Sequence, residues 1–411
     1  MQLNTVYKMD EEKTIAYEKY ERMIKTMNKR FQTYGYERIK TSTFEPYDLY
    51  MSINTEMDRR EMVKTINPQG EVLVLRPDVT IPIVKQMAEE QSQLEQERRY
   101  YYVQDVYRVS SFQDEKVETT QAGVEYFCQS SAEKDAEVIA LACHLLKDLG
   151  FHNSKIEMGH AGFFQALLKR TNLTQVEAQQ LKALIQSKNR PEMAVFLESL
   201  QVERSLIEAF IQIPLLYGTP EEVLQKAQSL KKTEGIAEIL HYLEQVYEVL
   251  SIYGLAQQII IDLGLMNEMN YYSHILFQGY VERYGRPVLM GGRYDALGNE
   301  FGAELPAIGF ACTVESLMKA TANDTIKARP KVDVWISYEQ AVLEKAVELA
   351  NELRERNVRV VTALVDEPAE EAIYRLELSE QKNDLLYKGK SEDFEGIGDL
   401  LACMNRLKGE L

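Results

Sequence analysis

The side chains with the most chemistry to offer gather in and around one short segment. Met290-Gly291-Gly292-Arg293-Tyr294-Asp295 sets a guanidinium, a phenol and a carboxylate on consecutive positions behind two glycines. Leu305-Pro306-Ala307-Ile308-Gly309-Phe310 and Val314-Glu315-Ser316-Leu317 follow it. The glycines suit backbone geometry or a close approach rather than chemistry. Arg293 has a structural partner at hand in Asp295, since arginine readily grips a carboxylate. Taken alone, Glu125 is a strand residue facing solvent, as charged residues mostly do. Taken alone, Tyr272 and Tyr294 are core aromatics whose hydroxyls find backbone or water. Tyr100-Tyr101-Tyr102 reads as strand core and edge, not as a platform for bases, because no basic residue interleaves after Arg99.

Other chemistries are excluded by what does not occur. There is no GxGxxG and no GxxxxGK[ST], so no dinucleotide or Walker-type phosphate site is indicated. The 5 histidines form no HExxH grouping, and the 4 cysteines, at 128, 143, 312 and 403, make no CxxC pair. Metal ligation is therefore not expected, and the cysteines read as reduced thiols in a cytosol. No cofactor is implied. The net charge of −17, from 47 basic and 64 acidic side chains, weighs against a nucleic-acid partner, whose binding draws on phosphate neutralisation. No apolar run approaches the roughly 18–20 residues that span a bilayer, and residues 1–14 lack the apolar stretch of a signal peptide. A cytoplasmic protein without a membrane partner is expected.

The elements that must position these residues follow from periodicity. At 411 residues, 45% apolar, the chain is long enough for two or three domains. Ile15, Tyr17, Tyr20, Met23, Ile24, Met27 and Phe31 recur at helical spacing, which predicts a helix over 14–35. Extended runs follow at 37–44, 71–76, 100–109 and 121–129, then a helix over 133–150. This order suits an antiparallel sheet with helices on one side rather than a βαβ repeat. From 161 to 254 strand signals vanish. Helix starts appear instead, with capping boxes at Thr174–Glu177 and Thr219–Glu222, the second with Pro220 at the first helical position. Strand signals return at 259–265, 273–282 and 287–290, so a helical insertion splits one sheet domain. Residues 322–331 read as a linker. A small α/β unit follows, with strands at 332–337 and 358–362 around a helix at 341–355, and helices near 369–380 and 397–407. The expected domains are a core of 1–160 plus 255–321, an insertion of 161–254 and a C-terminal domain of 330–411.

Six motifs in this order resemble the histidyl-tRNA synthetase family. Tyr34-Gly35-Tyr36-Glu37-Arg38-Ile39 is similar to the entry to its first, dimer-forming motif, and Leu75-Arg76-Pro77-Asp78-Val79-Thr80 to its LRPExT strand. Tyr107-Arg108-Val109-Ser110 resembles FRxE, Gln121-Ala122-Gly123-Val124-Glu125 its QxGxE strand, and Asn270-Tyr271-Tyr272-Ser273 its DYYTG loop. Gly291 to Asp295 matches GGRYD unchanged. The resemblance covers most of the chain. It implies an α+β, class II synthetase-like antiparallel sheet flanked by helices. It also implies a histidine pocket: Asp78, Thr80 and Gln121 on the ammonium, Arg108 on the carboxylate, Glu125 and Tyr272 on the imidazole, and Tyr294 as a wall. Asp78 is one methylene shorter than the family's glutamate.

The departures fall at the ATP end. The second-motif glutamate is Ser110, and the loop after it, 112–118, is acidic where the synthetases are basic. The arginine of RGLDYY falls on Asn267 and that of the third motif on Ser316, with Thr313 for a glycine. Ser42 stands for the first-motif proline. Adenylate formation builds negative charge on phosphate, and losing one preorganised donor commonly costs on the order of 10²–10³ in rate. Serine and asparagine cannot grip phosphate as guanidinium does. The pattern resembles a non-aminoacylating branch of the family: regulatory subunits that assemble with a short-form ATP phosphoribosyltransferase catalytic subunit. The resemblance implies no catalytic residue, self-association as a dimer within a hetero-octamer, and histidine as feedback effector in histidine biosynthesis, with no tRNA. Two alternatives stand beside it: an active histidine–tRNA ligase with an atypical ATP site, and a stand-alone amino-acid- or RNA-binding module.

Overall fold

Met23, Met27 and Phe31 recur every four residues along α1 (Glu11–Thr33) and are all buried, so the first helix forms around one apolar stripe. Gly35, at φ +76°, turns the chain out of it. The computed structural model describes residues 11–51, 53, 59–90, 97–109, 117–266, 271–321, 332–367 and 372–409. Ser110, Asn267, Asn270, residues 112–116 and the linker 322–331 lie outside them. The chain divides into two compact units, Met1–Asp324 and Thr325–Leu411.

The first unit continues with β1 (Glu37–Arg38), β2 (Phe44–Pro46), α2 (Tyr47–Met51), β3 (Lys64–Ile66), β4 (Val72–Leu75) and α3 (Thr80–Glu89). Next come β5 (Arg98–Tyr107), β6 (Glu118–Phe127), α4 (Ala132–Asp148) and β7 (Lys155–His160). The insertion holds α5 (Ala161–Leu168), α6 (Gln175–Gln186), α7 (Arg190–Ser199), α8 (Arg204–Gln212), β8 (Tyr217–Gly218), α9 (Pro220–Lys226) and α10 (Ile236–Ile252). The sheet resumes with β9 (Ile259–Asp262), β10 (Ile275–Tyr280), β11 (Leu289–Arg293) and β12 (Ala307–Thr313), closed by α11 (Val314–Ala320). Nine strands form one sheet in the order β1-β5-β6-β12-β11-β10-β7-β9-β8, antiparallel except at β1–β5 and β7–β9. β2, β4 and β3 make a separate small sheet. Thr174 and Glu177 form a full capping box at α6. Thr219 caps α9, with Pro220 behind it. The insertion is not purely helical: β8 extends the large sheet at its edge on β9. Two residues carry no period, so this strand had no signature in the sequence.

Both faces of the sheet are covered, and strand alternation decides which core each residue enters. Tyr101, Ala122, Val124 and Tyr126 join α1, α4 and the insertion in the larger core. Tyr102 and Phe127 point the other way, into a core with α3, Leu297 and Leu305. Large apolar side chains of this kind contribute about 1.5–3 kcal/mol each on burial.

The second unit has β13 (Val332–Tyr338), α12 (Leu343–Glu355), β14 (Val360–Leu364), β15 (Ala372–Leu378), β16 (Asn383–Tyr387), β17 (Lys390–Asp393) and α13 (Ile397–Gly409). β13 and β14 pair in parallel across the α12 crossover. The helix expected at 369–380 is instead β15, parallel to β13 and antiparallel to β16. Alanine, leucine and glutamate there favour helix by propensity, but Tyr374, Leu376 and Leu378 are buried while Arg375 and Glu377 are exposed. That period of two belongs to a strand, and tertiary packing overrode propensity.

Candidate functional site

The second core face is not filled throughout. A cavity of about 150 Å³ opens between β5, β6, β11, β12 and the turn before α3, and all seven residues singled out from the sequence line it. Asp78 leaves β4 and ties its Oδ1 to the first turn of α3, accepting from the Ile81 N–H at 2.8 Å. Thr80 opens that helix and donates its hydroxyl to Glu125 Oε1 at 2.6 Å. Gln121 and Glu125, four apart on β6, share one strand face as the period of two requires. Tyr294, just past β11, donates its hydroxyl to Glu125 Oε2. Arg108, just past β5, anchors its Nε on the Pro77 carbonyl at 2.6 Å and brings Nη2 to 3.8 Å from Asp78 Oδ2. Tyr272 meets the Tyr294 ring nearly edge-on at 6.4 Å.

Glu125 is therefore not a solvent-facing strand residue: it is 1% exposed, as is Asp78. Burial pushes the Glu125 carboxyl up to about 8. The Thr80 and Tyr294 hydroxyls pull against this and the Asp78 charge adds to it. Burial also raises Asp78, opposed by Arg108 and backbone N–H groups. Gln121 Oε1 is buried with no hydrogen-bond partner among the described residues. A buried acceptor left unpaired is costly, so the cavity presents an acceptor waiting for a donor. A cavity of this volume suits about one benzene-sized ring and falls below the roughly 300 Å³ where drug-sized sites begin. Among the described lining residues Arg108 is the sole cation; the wall beside Val106, Thr119, Met290 and Thr313 carries no basic side chain. Ser316 does not line the cavity; it lies half-buried in α11.

Two glycines make the room. Gly309 on β12 faces Glu125 across the sheet, and a Cβ there would overlap the Glu125 carboxylate and the Val124 carbonyl. A Cβ on Gly292 would come within 2.5 Å of Tyr272 Cδ1. Arg293 stays out of the cavity. It is 0% exposed, pairs with Asp135 of α4 and with Asp295, and donates to the Cys128 carbonyl at 3.1 Å. Its role is structural, with Asp135 as a second partner that no local motif announces.

Sequence reasoning missed two contributors. Tyr271 lines the cavity and packs on Tyr272 at 4.9 Å and Tyr294 at 5.8 Å; its adjacency to Tyr272 was the available signal. Tyr102 is wholly buried, with its ring over Gly123, and burial and the Glu125 and Asp78 charges raise its phenol pKa well above the usual value. Among the described residues no group of His, Cys, Asp or Glu is arranged to hold a metal ion, and no helix is long and apolar enough to cross a membrane.

Comparison with known proteins gives a consistent picture. A sequence model described as histidyl-tRNA synthetase matches residues 11–317. A protein of Oceanobacillus iheyensis named ATP phosphoribosyltransferase regulatory subunit is 42% identical over 82% of this chain and 83% of its own length. A protein of the same name from Ruminiclostridium cellulolyticum is 32% identical over 85% and 83%. A crystal structure from Bacillus halodurans, described as an ATP phosphoribosyltransferase regulatory subunit/histidyl-tRNA synthetase, superposes with a TM-score of 0.76 at 28% identity. It covers 86% of this chain and 90% of that one. A histidyl-tRNA synthetase from a Nostoc species has a TM-score of 0.80 at 17% identity, over 95% of both chains, and speaks to fold alone.

Proposed function

Since the chain belongs to the ATP phosphoribosyltransferase regulatory subunit family, on the histidyl-tRNA synthetase-like class II fold, we propose that it holds histidine in the cavity around Glu125 and regulates a short catalytic subunit without aminoacylating tRNA. The observation that carries this reading is the meeting of all seven side chains around one cavity whose described lining holds one cation only. Asp78, Thr80 and the unpaired Gln121 acceptor suit an ammonium; Arg108 suits a carboxylate; Glu125 and Tyr272 suit an imidazole, with Tyr294 as the wall. Triphosphate activation needs more positive charge than one guanidinium supplies. The partner is a short-form ATP phosphoribosyltransferase, in an assembly of the hetero-octameric kind, in the cytoplasm. Histidine acts as feedback effector through a coupling free energy, typically about 1–3 kcal/mol.

The test is reconstitution. The purified chain mixed with a short-form catalytic subunit should form a complex, raise its turnover and make it sensitive to histidine. Absence of a complex together with unchanged turnover would refute the reading. Histidine-dependent exchange of pyrophosphate into ATP should be absent; robust exchange would favour an active ligase.

A further inference from the structure

The charges around the cavity do not balance, and the imbalance specifies the ligand more narrowly. Asp78 and Arg108 are one negative and one positive group, 3.8 Å apart. An amino-acid zwitterion adds one of each, at the two ends those residues face. Glu125 is the group left over. Among the described residues it accepts from the hydroxyls of Thr80 and Tyr294, the Tyr102 phenol stands close by as a third polar neighbour, and no cation pairs with it. Among the described residues, the titratable groups that act on it are acids: Asp78 from the turn before α3, Tyr102 from β5, and Tyr271, Tyr272 and Tyr294 from the two loops beside β10 and β11, while Arg108, the one cation of the lining, sits against Asp78. A buried carboxylate without a counter-charge is strongly disfavoured.

We propose that Glu125 and the ligand's ring bind as one pair sharing a single exchangeable proton, so the site selects an imidazole that can both give and take a proton. This rests on the reading of the cavity as a histidine site. Below the pKa of free imidazole, about 6.5, both partners arrive protonated and one proton leaves on binding. Above that of Glu125, about 8, both arrive without it and one proton is taken up. Between these values binding leaves the proton count unchanged. Affinity is therefore level in that window and falls about tenfold per pH unit on either side. A fixed carboxylate accepting from neutral imidazole behaves otherwise: its affinity rises through pH 8 and stays high.

The experiment is calorimetric titration of the full chain with histidine from about pH 5.5 to about 9.5, in two buffers of different ionisation enthalpy, for the wild type and Glu125→Gln. The ratio of the two affinities cancels the titration of the ligand's own ammonium. It should be level below pH 8 and fall about tenfold per unit above it. A second ligand, 1,2,4-triazole-3-alanine, has a ring of similar size that stays neutral through this range. Its binding to the wild type should lack the acid limb near pH 6.5, a comparison that stands even where Glu125→Gln does not fold. Affinity that rises through pH 8, or an acid limb shared by the triazole, overturns the shared proton while leaving a histidine site in place. No histidine binding at any pH overturns the site itself and this inference with it.

Discussion

Asp135→Asn should be among the most damaging single substitutions in the first unit, although Asp135 does not line the cavity. Asp135 and Arg293 are both 0% exposed and joined at both guanidinium Nε and Nη2, and Tyr242 of α10 donates to Asp135 Oδ2 at 2.5 Å. Asparagine keeps the shape but turns an acceptor into a donor facing the guanidinium. Removing one partner of a buried pair costs roughly 3–5 kcal/mol. Asp295 and the Cys128 carbonyl still hold Arg293, which places the expected loss near the lower end, about 3 kcal/mol. That is roughly a hundredfold in the unfolding equilibrium. The double substitution Asp135→Leu, Arg293→Met should recover most of it, because no charge is then left buried. The chain's 1 Trp, Trp335, lies in the second unit and reports on that unit only. Amide hydrogen exchange of β11 and β12 against urea reads the first unit directly. A cost below about 1 kcal/mol for Asp135→Asn, or a double variant worse than both singles, would refute the argument.

Other outcomes follow from the same geometry. Arg108→Gln should weaken histidine binding about tenfold, a figure kept low because the side chain is partly exposed, and should also lower the melting temperature, because buried Asp78 loses its counter-charge; calorimetry and a melting curve check both. His160 has its pKa lowered to about 3 by burial and then by His274, below its unfolded value, so protonation favours the unfolded chain. Its contribution is intact above about pH 6.5 and is lost as pH falls from there toward about 3. His160→Asn keeps an acceptor for the Gly162 N–H and should flatten the decline in unfolding free energy between about pH 6.5 and about 5. Thr174→Ala removes the α6 capping box and should cost about 1 kcal/mol, read as earlier exchange in α6 with histidine affinity unchanged.

Where several residues had to agree, the sequence was legible. Asp78, Thr80, Arg108, Gln121, Glu125, Tyr272 and Tyr294 come from five separate segments, and ordered motifs linked them before any geometry did. Single residues were less legible. Glu125 read alone is a surface carboxylate, because burial is a property of neighbours that arrive from β5, β11 and β12. Asp135 could not be found as the partner of Arg293, since nothing local joins a helix residue to a strand so far along the chain. The 372–378 strand was misread because its Ala, Leu and Glu favour helix, and the alternation that decides the matter spans a few residues only. The two-residue β8 carried no pattern at all.

The position of the insertion has a consequence for how the protein is made. β6 has β5 on one side, but its other neighbour is β12, so Glu125 must wait for Gly309 before its cavity has a second wall. A ribosome adding about 5–20 residues per second needs on the order of ten seconds or more to cover that stretch. During that interval the inner edge of β6 is an open hydrogen-bonding ladder in the middle of the future sheet. Pairing so distant in sequence is slow and leaves an edge that other chains can join. Newly made protein should thus be most prone to aggregate before β12 emerges, and no ligand of the finished cavity can protect it during that wait.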